Sequence, residues 1–290
     1  MLISKDSNSI RLPLAIRGMA MDYIEQIKNI LVGFKYVFII SGLGGNVGSG
    51  LSPFFAKIAK DIEATVVSIV AMPFKFEKHK HFYAGLALRQ MRKLSDAVII
   101  IDNESLREKV PKKSMLDVFT FINKKISTAF NKLINPPKVG EVGIGLNKFI
   151  NIIKEEGYAI LSVYESFVET GECVSRAAQS VSQIAEPNQS SRAILYLMGD
   201  KKISTEETST SISSLGSFFG NDSIEIQYGI SESGGHGSTA ILLASGLRNT
   251  KFDDYDPIAN ILYNLERDDD LDTSINVKLP NIYNLNECPA

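Results

Sequence analysis

Apolar residues along this chain change their spacing several times, and the changes mark out its elements. Over residues 18–32, Met19, Tyr23, Ile24, Ile27, Ile30 and Leu31 fall on one side of a helix. Three unbroken apolar runs follow: "YVFIIS" at 36–41, "TVVSIV" at 65–70 and "AVIIID" at 97–102. Helical patterns near 50–62 and 79–93 separate them. Continuous apolar runs, rather than alternating ones, predict strands buried on both faces, hence a parallel sheet covered by helices.

Residues 114–134 predict one long helix, with Met115, Phe119, Ile122, Ile126 and Phe130 at helical spacing and Pro136-Pro137 forcing its stop. A glycine-rich loop, "PPKVGEVGIG", comes next. The pattern then resumes with a strand at 158–164, a helix from about 171, a strand at 193–198 and a helix over 204–219. Two further strands, "SIEIQYGI" and "TAILLAS", complete it. Thr205 ahead of Glu206 and Glu207 suits a helix start, where a hydroxyl and acidic groups satisfy free backbone amides. This half reads as a smaller α+β unit with a mixed sheet. From Asn249 the chain turns polar and acidic, which predicts a loosely held tail. No internal repeat is evident.

Between the first strand and its helix lies "SGLGGNVGSGLS". Gly42, Gly44, Gly45, Gly48 and Gly50 let the backbone turn tightly and approach a ligand, and the helix start near Leu51 favours an anion. Two nucleotide-binding patterns fail here. A Walker loop needs a lysine and a hydroxyl after its last glycine, and Leu51 follows Gly50. A dinucleotide fingerprint needs a third glycine where Val47 stands, and an acid ending the next strand, where the chain reads "SIVAMPF". A purely structural tight turn remains the alternative.

Composition narrows the field. Hydrophobic content of 44% with 22% charged residues is that of a folded chain, and 290 residues suffice for one large or two moderate domains. A formal charge of -2 gives no basic surface for nucleic acid. No apolar run reaches the roughly 18–20 residues of a membrane span, and the N-terminus lacks a secretory pattern. Cys173 and Cys288 have no paired spacing, and His79, His81 and His236 form no metal pattern with them. A cytoplasmic protein with reduced thiols and no metal is expected.

The whole block "VFIISGLGGNVGSGLSPFFAKIAKD", "TVVSIVAMPFKFEKHKH" and "AVIIIDNESL" resembles the tubulin-like division GTPase family of FtsZ. That family's phosphate loop reads approximately AGMGGGTGTG, and its next two strands lead into TKPFxFEGxxR and IPNxxL. The likeness continues through "MLDVFTFINKKI", "EEGYAILSV", "RAILYLMGDKKISTEE" and "IEIQYGI…STAILLASGL", from about residue 20 to 248. It implies a truncated Rossmann-type nucleotide-binding domain over 1–112, a central connecting helix over 113–135 and a C-terminal α+β domain over 136–250. An acidic, flexible tail over 251–290 would follow. The resemblance also implies GTP or GDP as ligand at Gly44, Gly45, Asn46, Gly48, Ser49, Gly50, Glu77, His81 and Asn103. In the family an acidic loop from the next subunit of a filament completes the hydrolytic site.

The chain departs from that pattern at chemically telling positions. It carries one clear helix before the phosphate-loop strand, where the family has a further nucleotide-wrapping segment. Val47 replaces a hydroxyl of the loop. Lys124 stands where an aspartate accepts from the guanine edge, and a lysine has donors only. His81 stands in place of an arginine. In the hydrolytic loop Gly143-Ile144-Gly145-Leu146-Asn147-Lys148, Gly145 and Lys148 occupy the two acidic positions. Neither orients a water, and Glu141 is the nearest acid.

Three functions follow from these departures. One is a structural or regulatory subunit that has lost hydrolysis and acts through filament-type surfaces with FtsZ-like subunits. A second is an active, polymerising GTPase using substitute residues such as Glu141. The third is a nucleotide- or anion-sensing module without turnover. Ser231, Glu232 and His236 lie close in sequence but in an expected strand connection, and Cys173 reads as a packing residue. "KLPNIYNL" at 278–285 faintly resembles the family's adaptor-binding peptide.

Overall fold

Three parallel strands, β1 (Tyr36–Gly42), β2 (Thr65–Met72) and β3 (Ala97–Asp102), form one side of the sheet. The structure is a computed structural model and describes residues 12–107, 114–167, 169–200, 202–220, 224–232 and 237–256. Four more strands, β4 (Tyr158–Ser166), β5 (Arg192–Gly199), β6 (Glu225–Glu232) and β7 (Ser238–Leu247), complete a seven-stranded sheet in the order β1-β2-β3-β4-β7-β5-β6. β4 and β5 each pair antiparallel with β7, whereas β5 and β6 run parallel, so this part is mixed. The two parts meet at β3 and β4 through Ile99–Ala159 and Ile100–Ile160.

The continuous apolar runs are explained by burial on both faces. In β3, Val98 and Ile100 belong to the core on the face of the sheet covered by helices α3 (Asn46–Asp61), α4 (Lys78–Leu94), α8 (Thr170–Ser182) and α9 (Thr205–Phe219). Their neighbours Ile99 and Ile101 pack on the opposite side, against α6 (Met115–Ile134) and α7 (Gly145–Ile153). Successive residues of a strand face opposite ways, so a doubly covered strand shows no polar alternation.

Helix ends follow the local chemistry. Ser114 caps α6 by accepting from the Asp117 amide, and α6 stops before the Pro136-Pro137 pair. α9 opens with a reciprocal box in which Ser204 and Glu207 satisfy each other's amides, and it ends on Gly220 at φ 61°.

Three expectations need correction. The helix expected over 18–32 is two helices, α1 (Pro13–Ala20) and α2 (Ile24–Leu31), joined by a tight 3-10 turn at Met21–Tyr23. Proline at the first turn starts α1 early, and Ile30, expected on the buried face, is exposed. The helix expected from about 50 begins at Asn46, so the second half of the glycine run is its first turn. Residues 249–256, expected in the loose tail, are packed: Phe252 is buried, and Asp253 caps the turn by accepting from the Thr250 amide at 2.6 Å. The remainder of that tail, with Cys288 and 278–285, lies outside the described residues.

Candidate functional site

Parallel strands put their carboxyl ends on one side, and in α/β sheets ligands collect there. Gly42 pairs with Ala71 and Met72 with Asp102, so the loops after β1, β2 and β3 leave the sheet side by side. The first carries Gly44, Gly45, Asn46, Gly48, Ser49 and Gly50, the second Glu77 and His81, the third Asn103, the first residue of α5 (Asn103–Arg107). The three loops that sequence reading singled out are therefore neighbours.

The glycines of the first loop have different jobs. Gly44 turns with φ 95°, and its amide donates to the Ser49 hydroxyl at 2.8 Å. Gly45 caps α3 with open space around it. Gly48 and Gly50 serve close packing: a Cβ would lie 1.9 Å from the Gly42 carbonyl oxygen and 2.4 Å from that of Pro13, respectively. Arg17 of α1 donates to the Gly50 carbonyl at 3.2 Å and to Gln90 at 2.8 Å, fastening α1 across α3. With no acid in its first turn, α3 presents a positive dipole end at Gly45 and Asn46. Val47, more than half exposed, sets an apolar side chain there.

Glu77 and His81 both close on Phe74. The Phe74 amide donates to Glu77 Oε2 at 3.1 Å, and the His81 Nε2 lies 3.1 Å from the Phe74 carbonyl oxygen. Glu77 also pairs with Lys80, whose side chain abuts Gly44. The His81 ring stacks on Tyr255 with centroids 3.9 Å apart. Beside Asn103, buried Glu104 accepts from the Lys75 amide at 3.2 Å and pairs with Arg107 at 2.5 Å. Burial pushes the Glu104 carboxyl up, but the Arg107 and Lys75 hydrogen bonds and charges outweigh it and hold the group below the ordinary range. Sequence reading missed Arg17, Lys75 and Tyr255; only the Glu77–Lys80 spacing of three carried a signal.

The rim beside this cluster is apolar. Phe76 and Phe119 both contact Phe74, with centroids 5.3 and 5.6 Å away, and Phe76, Phe119, Met115 and Leu116 are all exposed. Lys124, farther along α6, is exposed, and neighbouring Lys125 pairs with Glu165.

The loop before α7 lies at the other end of α6. That helix has 20 residues, about 30 Å at 1.5 Å per residue. Gly143 approaches the Pro137 ring closely, Gly145 has φ 73°, and Lys148 is exposed. Glu141 accepts from Lys132 Nζ at 2.7 Å and from the Lys138 amide at 3.2 Å, and these bonds hold its carboxyl below the ordinary range. Both partners spend the acid locally.

Comparison with known proteins agrees with this arrangement. A profile described as Tubulin/FtsZ family, GTPase domain, matches residues 17–111. The chain is 33% identical over 150 residues to the cell division protein FtsZ of Mycoplasmopsis pulmonis, covering 50% of this chain and 37% of that protein. FtsZ 1 of Methanocaldococcus jannaschii is 29% identical over 192 residues, covering 65% and 53%. A solved FtsZ dimer from M. jannaschii superposes with a TM-score of 0.67 at 26% identity, over 81% of this chain and 70% of that one. Over residues 17–111 the chain is similar to the tubulin/FtsZ GTPase domain. The likeness is at modest identity, and the matched stretch spans about half or less of the length of these curated relatives.

The tubulin/FtsZ profile contains every candidate nucleotide residue from Gly44 to Asn103, whereas Gly143, Gly145 and Lys148 lie beyond it. Other expected chemistry is not assembled. Ser231 is buried at the end of β6, Glu232 is exposed, and His236 lies outside the described residues. Cys173 is fully buried, donates to the Ser238 carbonyl at 3.3 Å, and has its thiol pushed up by burial, so it packs. Among the described residues, no group of three or more His, Cys, Asp or Glu is placed to hold a metal ion, and no helix is long and apolar enough to cross a membrane.

Proposed function

We propose that this chain is a non-hydrolysing, cytoplasmic subunit of an FtsZ-like cell-division assembly, acting through its end surfaces on like or homologous subunits. The observation that carries the reading is the loop from Gly143 to Lys148. It presents glycine and an exposed lysine where the family relies on carboxylates, and its nearest acid is tied to Lys132 and Lys138. A proton acceptor must be available and sufficiently basic, and Glu141 is neither. The glycine loop and this loop sit at opposite ends of α6, so only a second subunit could bring them together. The apolar rim of Phe76, Phe119, Met115 and Leu116 suits such a contact. The division into two units around α6, 1–112 and 136–250, belongs to the same reading.

Nucleotide binding without turnover fits one part of the site. The Gly45–Asn46 end of α3 can take an anion such as the phosphates of GDP or GTP, but exposed Lys124 offers no acceptor for a guanine edge. The test is steady-state phosphate release from the purified chain, alone and mixed with an active FtsZ. No release alone, together with a dose-dependent change in the FtsZ rate, is expected. Robust guanine-selective turnover by the isolated chain would falsify the reading.

A further inference from the structure

The segment after β7, residues 248–256, crosses α4 and returns to the carboxyl ends of the parallel strands. Four residues at helical spacing along α4 meet this strap. The His81 ring stacks on Tyr255, 7° from parallel. At Gly85 a Cβ would lie 2.6 Å from the Tyr255 carbonyl carbon and 2.7 Å from the Asp256 amide nitrogen. Arg89 pairs with buried Asp256 at 3.1 Å, and Arg92 donates to the Arg248 carbonyl at 3.0 Å. Glycine is unfavourable inside a helix, and the close passage of the strap accounts for Gly85. The Lys251 amide adds a bond to the Ile184 carbonyl at 2.8 Å.

Two of the three candidate ligand loops are held by this strap. Tyr255 covers one face of the His81 ring, whose Nε2 meets the Phe74 carbonyl and must donate, because a carbonyl only accepts. The Phe74 amide in turn anchors Glu77. At the next loop, Lys251 pairs with Asp102, the residue before Asn103. The glycine loop is held separately, by its own bond from Gly44 to Ser49. We propose that Tyr255 and Lys251 are positioning residues for a nucleoside diphosphate. The docked strap orients His81 and Asn103, and a ligand engaging those two loops holds the strap on α4. This inference rests on the nucleotide reading of the site and adds its regulation: whatever lifts the strap loosens the ligand, and the coupling is reciprocal. Inorganic phosphate, seated at the Gly45–Asn46 end of α3 alone, lies outside the strap's reach.

Calorimetric titration of the full chain with GDP and with inorganic phosphate tests this. Tyr255→Leu is expected to weaken GDP about fivefold or more, the lower end of a typical coupling, and to leave phosphate binding unchanged. Tyr255→Phe keeps the stacked ring and binds GDP as the wild-type chain does. A second measurement needs no variant. In the wild-type chain, GDP should slow hydrogen exchange at the Thr250, Lys251 and Tyr255 amides, whereas inorganic phosphate should not. Equal GDP affinity in Tyr255→Leu and wild type, a loss shared by phosphate, or strap amides indifferent to GDP overturns the positioning role and leaves the nucleotide reading standing. No GDP binding by the wild-type chain overturns both.

Discussion

Lys251 reaches Asp102 across 149 residues of sequence, its ammonium 2.5 Å from Oδ2. Asp102 ends β3 and is almost fully buried, and its other oxygen accepts from the Glu104 amide at 3.0 Å. The pair ties the segment after β7 to the carboxyl end of the sheet, beside Asn103. Arg89 pairing with Asp256 at 3.1 Å, and Tyr255 stacking on His81, fasten the same segment to α4. Lys251→Ala strands a buried carboxylate. Breaking a fully buried pair costs 3–5 kcal/mol, and because Lys251 is 30% exposed the loss here is about 2–3 kcal/mol. Urea unfolding monitored by far-UV circular dichroism measures it; a loss under about half a kcal/mol would mean the pair contributes no more than a surface contact.

Gly45 and Gly48 differ in their surroundings within one loop, the first open and the second tightly packed. At Gly48 a methyl group would overlap the Gly42 carbonyl, and backbone there cannot yield cheaply. Gly48→Ala is expected to cost about 1–3 kcal/mol by overpacking. Gly45 has φ -88° and open space, so Gly45→Ala should leave the melting temperature unchanged. On the proposed reading it should nevertheless weaken binding of inorganic phosphate or GDP, because the methyl group would stand in the way of an anion approaching the α3 amides. Calorimetric titration of both variants separates the roles. Equal destabilisation by the two substitutions would refute the distinction.

Much of this architecture is legible in the sequence, for physical reasons that also mark where legibility ends. The strands β1 to β3 and the helices α4, α6 and α9 announce themselves because burial and capping act over a few neighbouring residues, as at Ser204 and Glu207. The clustering of Gly44, Glu77, His81 and Asn103 follows from parallel strand order. What a single pass over residues could not supply were long-range contacts. Arg17 on Gly50, Lys251 on Asp102 and Tyr255 on His81 join positions with no periodic relation. The break at Met21–Tyr23 was equally hidden, since the apolar spacing of a helix continues through it.

Tyr158, at the start of β4, gives an alkaline signature. Burial pushes its phenol up to about 12 from 10.0, with the Arg92 guanidinium 4.8 Å from the ring centroid. Above pH 10 the unfolded chain loses this proton while the folded chain keeps it, so stability falls as pH rises between the two values. One such group contributes about 1.4 kcal/mol per pH unit. Tyr196 and Tyr255 are also raised by burial, so Tyr158→Phe should reduce the alkaline slope by one proton rather than abolish it. Denaturation midpoints across that range would show an unchanged slope if the phenol were solvated.

Glu141 decides whether any acid near α7 remains available for chemistry. Its bonds to Lys132 and to the Lys138 amide hold its pKa below the ordinary 4.5. A depressed folded value stabilises the fold above the unfolded pKa, and that contribution disappears as pH falls through the folded value. Glu141→Gln should therefore lose about 1 kcal/mol near neutrality and progressively less in acid, until the two proteins unfold alike. The same substitution should leave phosphate release at its background level, alone and in mixtures with an active FtsZ. A carboxylate serving as general base would behave otherwise: its amide variant would lower turnover by about 10²-fold or more while leaving stability nearly untouched. Measuring both quantities on one variant separates a structural carboxylate from a working one, since each outcome moves only one of them.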